Sequence, residues 1–192
     1  MNELAQKLSQ YLLRDDPAIE ARIERGIEEN RKGDGTIALL GPDGKPVPGA
    51  QIALRQLGHE FHFGCNAFML GEFPEAEQNA RYEETFKELF NLAVIPFYWS
   101  DLEPAEGELR FGKDSRPIYR RPPPDRVLEY CERNGIVPKG HPLLWHLFRP
   151  AWLGTDEREM RRQIRRRFQR IGERYADCIG IWDVCNEAQT LK

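Results

Sequence analysis

The chain has 192 residues, of which 40% are hydrophobic and 31% are charged. This composition is typical of a globular protein large enough to bury a core. The formal net charge of −3 argues against wholesale attraction to nucleic acid or to an anionic membrane surface. Small neutral partners are therefore favoured, and neither nucleic acid nor a membrane is expected as a partner.

The four cysteines form neither a C-x-x-C pair nor a cluster with histidine. A zinc site and a disulfide framework are therefore not expected, and no metal or other cofactor is predicted. The first residues, MNELAQKLSQYLLRDD, contain acids and amides where a signal peptide needs a basic start and an uninterrupted apolar run. No export signal is predicted, which leaves the cytoplasm as the default location.

The first 58 residues predict two small segments. Residues 1–34 form a helical extension in two pieces, since apolar residues recur at fourfold spacing on either side of Asp16-Pro17. Residues 35–58 form a β-hairpin or small β-module. Its two predicted strands, 36–40 and 51–57, are separated by the turn-rich GPDGKPVPGA.

From residue 59 onward, strand and helix patterns alternate. The predicted strands are 59–68, 91–99, 136–145 and 178–187. The predicted helices are 75–90, 125–134 and 155–175, the last of them capped by Thr155. The predicted apolar stripe of that last helix is Met160, Ile164, Phe168, Ile171 and Tyr175.

This βαβ pattern predicts a parallel α/β sheet, and it fits both a doubly wound sheet and a (β/α)8 barrel. Neither the G-x-G-x-x-G nor the G-x-x-x-x-G-K-S/T fingerprint of a nucleotide site is present. Polar and aromatic residues instead gather where predicted strands end, at Tyr98-Trp99, His141–His146 and Asn186-Glu187. A barrel assembles its site from such strand ends.

A carboxylate at a strand end suggests glycosidic cleavage. Enzymes that cleave sugars need one carboxylic acid to protonate the leaving oxygen and a second carboxylate as nucleophile or base. Glu187 is the candidate acid, and Asn186 beside it could bind a sugar hydroxyl. Taken alone, this pair also fits an ordinary solvated strand end, and single histidines and tryptophans are more often structural.

Several segments together resemble glycoside hydrolase family 10, the endo-β-1,4-xylanase family. GHPLLWH at 140–146 is similar to G-H-T-L-V-W-H of that family, and WDVCNEA at 182–188 is similar to W-D-V-V-N-E-A. WHLFRPAW at 145–152 resembles W-H-x-Q-x-P-x-W, and WSDLEPAEGELRF at 99–111 resembles W-x-x-x-E-P-x-x-G-x-F-x-F. The segments also follow the family's order and spacing, over about residues 59–192.

The resemblance implies a retaining hydrolase of xylan or a related plant polysaccharide. It implies that Glu187 is the general acid/base and that Asn186 contacts a sugar 2-hydroxyl. The residues implied to line the same substrate site are His141, Trp145, His146 and Trp99. The nucleophilic glutamate of such an enzyme would lie beyond Lys192. Residues 59–192 are thus expected to be the first four βα units of a (β/α)8 barrel, and nearly inactive alone.

Three positions depart from the family pattern. Tyr98 stands where lysine is usual, Pro142 where threonine is common and Phe148 where glutamine is common. The sugar-binding side of the cleft is therefore expected to be altered. Two alternatives stay open at this point, another retaining family of the same barrel clan and a non-catalytic carbohydrate-binding fragment.

Eight arginines lie between residues 158 and 174, on the last predicted helix. Such a run could indicate binding to RNA or another acidic partner. Because the same helix has a regular apolar stripe, we interpret the arginines as the water-facing side of a barrel's outer helix.

Overall fold

The computed structural model describes Lys7, Ser9, Gln10 and residues 15–189. It divides into two compact units, Met1–Leu57 and Gly58–Lys192. The first of the two predicted N-terminal helical pieces falls mostly outside the described residues. No helix in the described part is long and apolar enough to cross a membrane.

The N-terminal unit contains helix α1, Pro17–Arg31. The second predicted helical piece is thus confirmed, and it begins where Asp16 caps it by accepting a hydrogen bond from the Ala18 amide at 3.0 Å. The exposed acids and arginines of α1 alternate with its isoleucines, and none of its residues is buried.

The predicted hairpin is reduced to one tight turn. Leu40 and Pro46 form an isolated antiparallel bridge, and Gly44 supplies the positive φ of 72° that the turn between them needs. No regular strand is present at 36–40 or 51–57, so the prediction of two strands there is wrong. Leu54 and Leu57 are 78% and 88% exposed. These segments therefore bury no apolar face, which a stable pair of strands needs.

The C-terminal unit is built on one sheet of four parallel strands in the order β1-β2-β3-β4. The strands are Gly64–Asn66, Leu92–Pro96, Val137–His141 and Ile181–Trp182. The predicted parallel α/β sheet is confirmed, although every strand is shorter than its apolar run. Gly140 of β3 is required by close packing, because a Cβ there would lie 2.2 Å from the ring of Trp182.

Three long helices follow the first three strands, as predicted. They are α2, Ala76–Leu89; α4, Pro124–Asn134; and α5, Glu157–Tyr175. Gly135 ends α4 in the left-handed conformation at φ 65°. The cap of α5 is Asp156, not the predicted Thr155, because the Asp156 carboxylate accepts from the Glu159 amide at 2.8 Å.

Two short helical segments were not predicted, since both lie in what the sequence suggested were strand ends and loops. They are α3, Trp99–Leu102, and a 3-10 helix at His146–Phe148. Both follow a strand on the same side of the sheet, after β2 and β3 respectively. They therefore shape the edge at which the candidate residues gather.

The core lies between the sheet and the long helices. Its fully buried members include Ala93, Ile95, Phe97, Val127, Tyr130, Ile171 and Tyr175. The ring of Phe97 contacts Tyr175 edge-to-face at 5.3 Å and Trp182 at 4.9 Å. The end of β2 is thereby fixed between α5 and β4.

The buried face of helix α5 differs in part from the predicted apolar stripe. Its buried residues are Gln163, Arg167, Ile171 and Tyr175. Met160, Ile164 and Phe168 are only partly buried. The prediction that arginines occupy only the water-facing side of this helix is wrong for Arg167, because carbonyl oxygens of Leu143 and Phe97 satisfy its guanidinium inside the core.

Candidate active site

Backbone pairing beyond the ends of β3 and β4 brings the candidate residues together. The hydrogen bonds run from Leu143 N to Asp183 O at 2.9 Å, from Leu144 N to Val184 O at 3.0 Å and from Asn186 N to Leu144 O at 2.9 Å. These three backbone hydrogen bonds align the segments that follow the two strands. It places Trp145 and Glu187, 42 residues apart in sequence, side by side.

Trp145 holds the candidate acid directly. Its indole Nε1–H donates a hydrogen bond to Oε2 of Glu187 at 3.0 Å. Glu187 itself has a left-handed backbone with φ 52°, a conformation that costs a non-glycine residue about 1 kcal/mol or more. Such strain concentrates at functional sites.

A carboxylate that the sequence analysis did not assign orients His141. Oδ2 of Asp183 lies 2.8 Å from Nδ1 of His141 and 3.0 Å from Nζ of Lys139. An imidazole that donates from Nδ1 presents Nε2 as a hydrogen-bond acceptor. The signal was available, because Asp183 lies within the quoted WDVCNEA, but only the β3–β4 register reveals its partners.

The same contacts set the charge on Asp183. Partial burial acts to raise the pKa of its carboxyl, but the hydrogen bonds from His141 and Lys139 outweigh burial and the pKa is lowered. Because the ionised form is favoured in the folded state, Asp183 stabilises the fold above its unfolded pKa, and this contribution is lost as the pH falls through the folded pKa.

Asp183→Asn is accordingly expected to lower the thermal unfolding midpoint by about 2–4 °C at pH 7. The difference from the wild type should shrink as the pH falls below about 4, because the unfolded chain then takes up a proton at this carboxyl and the stabilisation from the ionised folded form is progressively lost. Differential scanning calorimetry from pH 3 to 7 measures this, with the exposed Asp177→Asn as the matched control. A difference independent of pH would contradict the ion-pair role.

The structure places Trp99 deeper than the other candidates. It begins α3, is buried, and donates from Nε1 to Oε2 of Glu103 at 3.1 Å. Trp99 also lines a cavity of about 310 Å³ together with Trp145, His146 and Asn186. The remaining lining is mostly aliphatic. His141 lies outside this cavity, beside Asp183 and the ring of Tyr98.

Two of the three departures noted in the sequence, Tyr98 and Phe148, meet at one place. The rings of Tyr98 and Phe148 lie 4.3 Å apart, and both approach Trp145. Arg121, which the sequence analysis did not single out, covers Tyr98 with its guanidinium carbon 4.1 Å from the ring centroid. An aromatic cluster thus lies next to the Trp145–Glu187 pair.

No group of three or more His, Cys, Asp or Glu side chains suited to a metal ion occurs within residues 15–189. The groups gathered here are a carboxylate, an amide, imidazoles and indoles. Such a set can donate and accept protons and can hydrogen-bond and stack a neutral ligand.

Fold and site together define an α/β protein with parallel strands whose candidate site lies after β3 and β4. Residues 61–191 match the model of glycosyl hydrolase family 10. The chain therefore belongs to glycosyl hydrolase family 10. The resemblance found in the sequence is confirmed, and the alternative of another family is set aside.

Three relatives illustrate this membership. An endo-1,4-beta-xylanase B of Paenibacillus barcinonensis is 37% identical over 71 residues, covering 33% of this chain and 21% of the relative. Anti-sigma-I factor RsgI6 of Acetivibrio thermocellus is 26% identical over 166 residues, covering 84% of this chain and 20% of that protein.

The third is the crystal structure of xylanase 10B from Thermotoga petrophila in complex with xylobiose. It superposes with a TM-score of 0.52 at 21% identity, covering 66% of this chain and 36% of that one. This likeness shows the fold. The chain spans about a third or less of the length of each of these three proteins.

Proposed function

We propose that the full-length protein hydrolyses β-1,4 linkages in xylan or a related plant polysaccharide, with retention of configuration and with Glu187 as general acid/base. The observation that carries the proposal is the position of Glu187, in the segment that follows β4, where the Trp145 indole donates to it at 3.0 Å. Membership in family 10 supports it, as do the relatives named as xylanases.

The proposed reaction has two steps. In the first, a carboxylate attacks the anomeric carbon while Glu187 gives its proton to the glycosidic oxygen, so that the bond to the leaving sugar breaks. In the second, Glu187 takes a proton from water, which displaces the carboxylate and restores it. We propose that this nucleophile lies on another strand of a complete (β/α)8 barrel, of which residues 59–192 are the first four βα units.

The other candidates are proposed to hold the substrate. Asn186 lies next to Glu187 and is placed to bind a sugar hydroxyl near the cleaved bond. His141, oriented by Asp183, offers Nε2 to a second hydroxyl. Trp145 and His146 form the adjacent wall, and the buried Trp99 supports that wall from below. Segments 1–34 and 35–58 are proposed as an extension outside the barrel.

A second candidate function is carbohydrate binding without cleavage. One observation favours it, since the relative that covers 84% of this chain carries the name of an anti-sigma factor, not of a hydrolase. The similarity to that protein extends over most of the chain, including part of the N-terminal unit. Under this reading the site would bind an oligosaccharide, and Glu187 would serve only as a hydrogen-bonding group.

The two functions are separated by incubating the full-length protein with xylan. Hydrolysis should release reducing sugar, and proton NMR of the first product formed should show the β-anomer, as retention requires. Carboxymethyl cellulose serves as the control polymer. Binding of xylo-oligosaccharides with no reducing sugar released would favour the non-catalytic function, and an α-anomeric first product would exclude a retaining mechanism.

A further inference from the structure

Helix α5 carries a strong positive charge on its exposed side. Its 19 residues contain eight arginines, three glutamates and no lysine, a net charge of +5 in a chain whose net charge is −3. Five of these arginines and one glutamine line an open groove of about 460 Å³. We call this set the arginine face, and its members are Arg158, Arg161, Arg162, Arg165, Arg166 and Gln169.

Two arginines of this face are available to a ligand. The other three form ion pairs, Arg161 with Glu157, Arg162 with Glu159 and Arg166 with Glu106. Within the described residues, the guanidinium groups of Arg158 and Arg165 form no ion pair and no hydrogen bond, and both side chains are exposed. The two lie seven residues apart, which is about 10 Å along the helix axis, on the side opposite the buried Arg167. The arginine face therefore offers two separated, unpaired cations.

The arginine face begins close to the candidate active site. Met160 and Ile164, on another side of the same helix, line the cavity that also contains Trp145 and Asn186. Arg158 lies two residues before Met160, in the first turn of α5. Because a helix with its side chains is about 10–12 Å wide, a polymer held at the cavity can extend onto the arginine face.

The chemistry and spacing of these cations favour carboxylates that are spaced along a sugar chain. A guanidinium binds a planar carboxylate through two parallel hydrogen bonds, and the amide of Gln169 adds a group that can hydrogen-bond a sugar hydroxyl. Nucleic acid fits less well, since duplex DNA carries a charge about every 1.7 Å and its binding proteins neutralise roughly 6–10 phosphates. The net charge of −3 also repels a dense polyanion. Uronate side groups, in contrast, place single carboxylates between neutral sugars.

We propose that the arginine face binds uronate side groups of the substrate polysaccharide through Arg158 and Arg165, outside the site that cleaves the chain. The inference rests on the proposed function, and it adds that carboxylated polymers are preferred over neutral ones. The face lies away from the reacting atoms, so it changes affinity and not the chemical step. Salt should weaken its effect, because exposed charges are screened.

The test compares glucuronoxylan with the same polymer after its carboxyl groups have been reduced to alcohols. Affinity is measured by isothermal titration calorimetry at low ionic strength, in the full-length protein carrying Glu187→Gln so that neither polymer is cleaved. This parent should bind glucuronoxylan about 5-fold more tightly than the reduced polymer. Arg158→Gln/Arg165→Gln should remove the preference. Arg22→Gln/Arg25→Gln removes the same charge from exposed positions of α1 and should retain the preference.

No preference in the parent, or the same preference in Arg158→Gln/Arg165→Gln, would overturn the inference while leaving the proposed hydrolysis intact. Tighter binding of polyuridylate than of glucuronoxylan, lost in the same variant, would also overturn it and would assign the face to nucleic acid. Release of reducing sugar from unsubstituted xylan by the protein with Glu187 intact tests the proposed function alone, because that polymer carries no carboxylates. Thermal melting of each variant separates lost binding from lost folding.

Discussion

Replacing Glu187 with Gln is expected to lower kcat/KM of the full-length protein on xylan by about 10²–10⁴-fold. An amide cannot give a proton to the glycosidic oxygen, but its carbonyl oxygen can still accept the Trp145 hydrogen bond that Glu187 accepts at 3.0 Å. The variant should therefore keep the geometry of the site and its affinity for oligosaccharides. Reducing-sugar release and calorimetric binding measure the two quantities separately.

The leaving group distinguishes an acid from a residue that only positions substrate. An aryl glycoside with a nitrophenolate leaving group needs little protonation, so the bond-breaking step of Glu187→Gln should be nearly normal on it, and azide should restore turnover because it attacks without a base. Glu132→Gln, at an exposed position of α4, is the matched control and should be unaffected. Equal losses on xylan and on the aryl glycoside would contradict the acid role.

Local patterns predicted the order of elements because each pattern reports burial of one face. The segment 75–90 became α2, Ala76–Leu89, and the Asn134-Gly135 pair marked the end of α4. Strand lengths were overestimated for a physical reason. An apolar run continues wherever side chains are buried, whereas a strand continues only while a neighbouring strand supplies hydrogen bonds.

The candidate site was predictable to a lesser degree. The sequence indicated which strand ends carry polar groups, and the structure does join Trp145 to Glu187. It could not indicate that Asp183 binds His141, since that contact depends on the β3–β4 register. Nor could it indicate that Trp99 is buried. Helix α3 begins at that residue, and its indole donates to Glu103.

Arg167 was the least predictable residue, because a charged side chain enters the core only when distant groups satisfy it. Its partners are carbonyl oxygens 24 and 70 residues away in sequence, those of Leu143 and Phe97. The guanidinium carbon also lies 5.2 Å from the centroid of the Trp99 ring. Burial lowers the pKa of Arg167 to about 9, partly opposed by Glu103, so the side chain is still a cation at neutral pH.

Arg167→Met is therefore expected to destabilise the protein by about 3–5 kcal/mol, because two buried carbonyl oxygens would lose their donor. Urea denaturation followed by circular dichroism measures the free energy of unfolding. Arg166→Met is the control. Arg166 neighbours Arg167 on α5 but is exposed and paired only with Glu106, so its loss should cost less than about 1 kcal/mol.

Arg167→Lys should give an intermediate loss, since one ammonium group cannot span both carbonyl oxygens with the fork of a guanidinium. The effect should also reach the site. The carbonyl oxygen of Leu143 accepts from Arg167, and the amide of Leu143 donates to the backbone carbonyl oxygen of Asp183. This second bond is the first of the backbone hydrogen bonds that align Trp145 with Glu187. A loss for Arg167→Met no larger than that for Arg166→Met would show that solvent or other groups satisfy these carbonyls, and that the buried arginine does not hold α5 to β2 and β3.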